Sequence, residues 1–276
     1  MRDMLAQRDV LGLGAVVMAG LVILYWPILV PMVRQWAADD NYSHGFLVPF
    51  IAGYLAWMRR DALASARISP SNAGLAVVLF GLGMLLLGWL GTEYFTMRSS
   101  LVVVLTGCVL YLLGWPVTRI LLPPLAYLLL MIPIPYIVYD AAAFPLKLFV
   151  TKVSVLALKS MGVVLWQEGN ILMFPGITLE VADACSGLRS IMSLLALGAA
   201  YALVLHSSAR DRVVLIAATL PIAVLTNCLR VIATGVLAQY YGAAAAEGFF
   251  HEFAGMFIFF MAVAMFVGLG ALLKKV

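Results

Sequence analysis

Of the 276 residues in the chain, 64% are hydrophobic and only 11% are charged, and the mean hydropathy is +1.07. A soluble domain of that size cannot hide so much apolar surface, so composition excludes a water-soluble globule and implies a polytopic α-helical membrane protein. The net charge of +4 is small and sits in connecting segments, where it argues membrane orientation rather than nucleic-acid binding.

The apolar runs predict an all-α polytopic membrane protein, a single integral membrane domain over residues 1–276 with about eight transmembrane helices. The expected spans are about 10–33, 45–58, 72–91, 99–114 and 117–132, then 187–205, 213–237 and 251–273. The first run ends in Trp26, Pro27 and Pro31, and Tyr25-Trp26-Pro27 does not read as the end of a signal peptide. A polar loop, Asp39-Asp40-Asn41-Tyr42-Ser43-His44-Gly45-Phe46, leads into the short second run. Residues Glu93 to Arg98 form a further polar loop, and Ile132-Pro133-Ile134-Pro135 closes the fifth span because proline cannot continue a helix.

Residues 140–165 differ. Lys147, Lys152 and Lys159 interrupt the apolar pattern, and a lysine at a bilayer centre costs about 2.5–3.5 kcal/mol on insertion scales. An interfacial or re-entrant helix is therefore expected there. Gln167 to Val181, with Gly169-Asn170, Pro175-Gly176 and the alternating Ile177-Thr178-Leu179-Glu180-Val181, reads as a small extramembrane hairpin. The basic loops (Arg59/Arg60/Arg67, Arg210/Arg212 and Lys274/Lys275) together with Arg2 and Arg8 predict both termini in the cytoplasm. Residues 134–186 must then begin and end outside.

This topology brings chemistry-bearing residues to one membrane face. Asp183-Ala184-Cys185-Ser186-Gly187-Leu188-Arg189-Ser190 lies between the hairpin and the sixth span. A helix start and the guanidinium of Arg189 four residues on both favour thiolate, the nucleophilic form of Cys185. Glu180 and Asp183 would oppose that if they face the sulfur. Arg230 follows Arg212 by 18 residues, about 27 Å of helix against a core of about 30 Å, which takes it to the outer boundary with Asn227 on its face. His251 begins the last span on the same side, and His44 is predicted there too, whereas His206 falls with the cytoplasmic basic loop. A thiol, an imidazole and a guanidinium suit acyl transfer. The competing readings are a packing cysteine, a snorkelling arginine and an interface histidine. The three cysteines, 108, 185 and 228, show neither disulfide nor metal-ligand spacing, so no metal or cofactor is expected.

At these residues the chain resembles the exosortases: Ala184-Cys185-Ser186-Gly187-Leu188-Arg189-Ser190, Asn227-Cys228-Leu229-Arg230, the late His251 and the early Tyr42-Ser43-His44-Gly45-Phe46 follow the family's order and spacing. The resemblance implies a membrane-embedded cysteine transpeptidase of a bacterial inner membrane. Its substrates would be exported proteins with a C-terminal Pro-Glu-Pro motif, a transmembrane helix and a basic tail, passed to an unknown acceptor nucleophile. It further implies Cys185 as nucleophile with Arg230 and His251 as catalytic partners, and Arg189, Asn227, Ser186 and His44 in support. Expected partners are these sorting-signal proteins and membrane lipid, with no nucleic acid. The alternative from another class is a transporter or channel with an arginine-lined substrate path. A membrane protease without transfer shares the same first half-reaction.

Overall fold

A computed structural model describes residues 2–175, 177–181, 188–205, 208–242 and 249–274, with only the backbone described at 2–11, 13, 188–190 and 249–254. Helices make up 82% of it. Cys185, Ser186, Asp183 and His206 lie outside the described residues. The chain divides into two compact units, Met1–Pro135 and Tyr136–Val276.

The first unit begins with α1 (Arg2–Ala38), whose apolar part is Gly14–Ala38. Asp39 stops it and caps a 3-10 turn over Asp40–Phe46 by accepting from the Asn41 amide at 3.0 Å. Short helices α2 (Val48–Trp57) and α3 (Arg60–Ser65) lead to α4 (Ala73–Leu90) and α5 (Tyr94–Leu113). These two form a close hairpin. Buried Gly74, Gly81 and Gly88 recur every seven residues along α4. A β-carbon at Gly81 would stand 2.6 Å from Val104 Cγ2, and one at Gly74 would overlap the Tyr111 backbone. Small residues of this kind let membrane helices approach where water supplies no driving force.

Helix α5 starts five residues before the expected span because Glu93 caps it, its carboxylate accepting from the Phe95 and Thr96 amides at 3.0 and 2.7 Å. Arg98 is thereby carried inside: it is 7% exposed, and its Nη1 donates to Gln35 Oε1 at 2.8 Å. Helix α6 (Trp115–Tyr127) continues as a 3-10 turn, Leu128–Met131, and stops before Pro133 as the sequence predicts.

That stop leaves carbonyls without helical partners, because Pro133 and Pro135 lack N–H groups. The last turn of α1 and the polar loop after it answer them. Trp36 Nε1 donates to Met131 O at 2.9 Å, Tyr42 Oη to Ile134 O at 3.2 Å, and His44 Nε2 lies 3.1 Å from Leu130 O. A carbonyl only accepts, so the imidazole carries its proton on Nε2. Gly45 is required beside it, since a β-carbon would strike the Trp36 ring at 2.5 Å.

His44 lies in this connection, outside the spanning helices. Burial lowers its pKa, only partly offset by the Leu130 and Asn41 carbonyls. A histidine with a depressed folded pKa favours the neutral form, so its contribution is complete above the unfolded value of about 6.5 and is lost as pH falls below it. We expect the first unit to lose stability below about pH 6.5, and His44→Gln to flatten that dependence. Thermal unfolding in detergent across pH 5 to 8 measures both. An unchanged slope in the variant would assign the acid sensitivity to another group.

The second unit contains α7 (Tyr136–Ser160), a three-stranded antiparallel sheet, and helices α8 (Leu188–Leu205), α9 (Ala209–Tyr241) and α10 (Phe249–Leu273). Helix α7 runs parallel to α9: Ser154 Oγ donates to Cys228 O at 3.3 Å, and Leu158 packs on Gly235. Helices α8 and α10 run antiparallel to α9, with Leu194, Ala202, Leu215, Ile222, Ala223, Ala262 and Phe266 as their shared core.

Among the described residues six helices are long and apolar enough to cross a membrane: Gly14–Ala38, α4, α5, α7, α9 and Gly255–Leu273; Trp115–Met131 and Ile191–Leu205 are shorter apolar helices. Two segments differ in form from the sequence expectation. The run at 45–58 gives only the ten residues of α2, about 15 Å of helix against a core of about 30 Å. Residues 140–165 fall mostly in α7, an unbroken helix of 25 residues despite its lysines. Lys152 and Lys159 are exposed, while Val150, Thr151, Ser154, Val155 and Leu158 form the buried face. The charges are segregated to the side away from α9, which is why they interrupt the sequence pattern without breaking the helix.

Candidate active site

The predicted hairpin is present, and one strand larger. Strands β1 (Trp166–Glu168), β2 (Ile171–Phe174) and β3 (Ile177–Glu180) pair in that order, with Glu168 opposite Ile171 and Leu172 opposite Leu179. Gly169, at φ 58°, makes the two-residue turn between β1 and β2, a backbone region that favours glycine. Alternation then sets the two faces. Ile177, Leu179 and Val181 turn towards a cluster that includes Leu158, Cys228 and Val231, while Thr178 and Glu180 are exposed.

Glu180 lies on the outer face of the sheet, where its Oε1 accepts from Asn170 Nδ2 at 3.1 Å. Its carboxylate points away from the face packed on α9. Asp183 lies outside the described residues.

Helix α9 supplies the polar residues. Asn227 is 4% exposed and Thr226 1%. Arg230 is half-buried and leans on α10: a β-carbon built at Gly255 would stand 3.5 Å from its Nη2 and 3.8 Å from its Cζ. Position 251 lies one turn before Gly255 in the same helix, about 6 Å along the axis. Positions 251, 255, 262 and 266 share one stripe of α10 by helical spacing. Ala262 and Phe266 of that stripe are 1% and 4% exposed in the core shared with α9.

The structure therefore brings together, within the second unit, Arg230, Asn227, the first turns of α10 that carry position 251, and Val181 packed in the cluster with Cys228 and Val231. Leu188, the first residue of α8, resumes the chain three residues after Cys185, and Arg189 follows in the first turn. Cys185 and Ser186 themselves lie outside the described residues, as do the side chains of Arg189 and His251. His44 belongs to the first unit, where its ring is held on Leu130 O. No group of three His, Cys, Asp or Glu side chains converges among the described residues.

Sequence reasoning overlooked Gly255. Its signal was legible: one glycine four residues after His251, in a run made mostly of Phe, Met, Ile and Ala. It also read Arg98 as a loop residue, because nothing in the local pattern shows that Gln35 waits for it 63 positions away.

A model of the family described as transmembrane exosortase matches residues 36–268, most of the chain. No curated protein and no solved structure matches it.

Proposed function

The chain belongs to the transmembrane exosortase family, and from that premise we propose a cysteine-dependent transpeptidase whose nucleophile is Cys185. The family assignment carries a membrane transpeptidase-type function; the residues and substrate that follow are our reading. The Cys185 thiolate attacks the scissile carbonyl carbon, forming the C–S bond and a tetrahedral oxyanion. Arg230 stabilises that oxyanion with its forked N–H donors. Collapse breaks the C–N bond while His251, protonated, returns a proton to the leaving amine, and a thioester remains. An acceptor nucleophile then gives transfer, or water gives simple cleavage. Ser186 contributes an amide at the helix start, Arg189 and Asn227 hold the surrounding charge, and His44 supports the structure from the first unit.

One observation carries the assignment most directly. Arg230, a guanidinium in an apolar helix, packs on α10 one turn from position 251. Residues flanking Cys185 belong to the same unit, with Val181 packed beside Cys228 and Val231. The other end of this unit carries Arg210, Arg212 and Lys274, exposed or half-exposed. By the positive-inside rule we read that end as cytoplasmic and Cys185 as facing the periplasm of a bacterial inner membrane, and Arg2 and Arg8 support a cytoplasmic N-terminus on their own account. Substrates are exported proteins ending in a Pro-Glu-Pro motif, a transmembrane helix and a basic tail.

A transport path would need polar groups free along the membrane depth. Of the described hydroxyls at that depth, Thr151 and Thr226 return theirs to their own helix carbonyls, at Lys147 O (2.8 Å) and Ile222 O (2.9 Å), and Thr219, without a hydrogen bond among the described residues, is buried in the helix packing at 2% exposure. The test is a reporter bearing such a sorting signal, expressed with the chain or with its Cys185→Ala variant. Processing by the parent alone is expected, and processing by both would overturn the reading.

A further inference from the structure

We infer that Gly255 is a positioning residue for Arg230: its missing side chain is the space into which the guanidinium fits between α9 and α10. The inference rests on the reading of Arg230 as the oxyanion-stabilising group. A β-carbon at 255 would meet Nη2 at 3.5 Å and Cζ at 3.8 Å, ordinary van der Waals contact. One methyl group therefore fits without moving the guanidinium, and a branched or longer side chain adds atoms beside it. Gly255 is half-buried and shares its stripe with Ala262 and Phe266, which are buried against α8 and α9, so a side chain at 255 starts out towards those helices. The neighbours in the same turn, Met256 and Phe257, are 58% and 61% exposed, so among the side chains described there 255 is the position that meets Arg230.

The consequence is geometric. Closing this gap with a branched or longer side chain pushes the guanidinium away from α10 and from position 251 one turn above. A displacement of about 1 Å in a positioned group can lower a rate by about 100-fold. Helix propensity acts in the opposite direction, since alanine or leucine in place of an interior glycine favours the helix. Activity and stability should thus separate across a size series.

The experiment compares the full-length parent with Gly255→Ala, Gly255→Val and Gly255→Leu in detergent, using a sorting-signal peptide substrate. It measures single-turnover rate, KM and melting temperature together. Gly255→Ala should stay within about threefold of the parent, because its methyl group fits. Gly255→Leu should lose about 100-fold in rate with KM little changed and melting undiminished. A Gly255→Leu protein with parental rate overturns the inference. So does a rate loss matched by a fall in melting temperature, which would make Gly255 a packing residue only. If Arg230→Ala itself retains full rate, the reading of Arg230 fails instead, and the two failures are told apart by that control.

Discussion

Replacing Cys185 by alanine should abolish processing while leaving the protein folded and in the membrane. The described cores of the second unit are carried by other residues: the sheet packs through Leu172, Phe174 and Val181, and helices α8 to α10 through Leu194, Leu215 and Phe266. Losing the sulfur removes the only atom proposed to bond to substrate. In nucleophile–base enzymes, deleting the nucleophile alone costs as much as deleting the whole set, about 10⁶-fold in kcat. Cys185→Ser is expected to be nearly as inactive, because a hydroxyl lacks the low pKa that makes the thiolate available near neutrality. Reporter cleavage followed by immunoblot, with membrane-fraction abundance as the folding control, reads both variants. Processing at the parental level in Cys185→Ala would return the cysteine to a packing role.

Arg230→Ala should lower the single-turnover rate by about 10²–10³-fold, the usual loss when one oxyanion donor is removed. Arg230→Lys should fall between parent and alanine. Lysine keeps the charge but replaces a planar five-donor fork by a point charge on a flexible stem, so it neither spans two oxygens nor fills the slot beside Gly255 in the same way. Both variants should act on kcat more than KM, because the group acts on charge that develops in the transition state. Full activity in Arg230→Lys would refute the bidentate role and leave only long-range charge.

Much of the fold was readable because membrane helices obey few rules. Twenty apolar residues suffice for a span, and the closely spaced Pro133 and Pro135 end one here. The sheet was readable from the alternation in Ile177-Thr178-Leu179-Glu180 and from Gly169-Asn170, both local signals. What was not readable depends on distant partners. The lysines of α7 looked disruptive until the helix was seen to turn Thr151, Ser154 and Leu158 inward and the charges outward. The loop containing Tyr42 and His44 was given a supporting part, from its predicted membrane face and its likeness to the family's early motif. What could not be read is that its side chains reach backbone carbonyls some 90 positions later, because no periodicity links such positions. Counting residues from Arg212 placed Arg230 at the outer bilayer boundary, and α9 runs on to Tyr241 beyond it. The slot of Arg230 against Gly255 depends on the rotation of α10 about its own axis, which follows from packing rather than from counting.

The most direct measurement of the central claim is the rate at which a membrane-impermeant maleimide labels Cys185 in intact spheroplasts. Cys108 and Cys228 are first replaced by alanine; Cys228 is 5% exposed in an apolar cluster, where serine would bury a hydroxyl. The account predicts rapid labelling from outside that slows in Arg230→Ala and in His251→Ala, since both cations favour the thiolate. Labelling of Cys185 only after the membrane is permeabilised, at a rate indifferent to both substitutions, would contradict it.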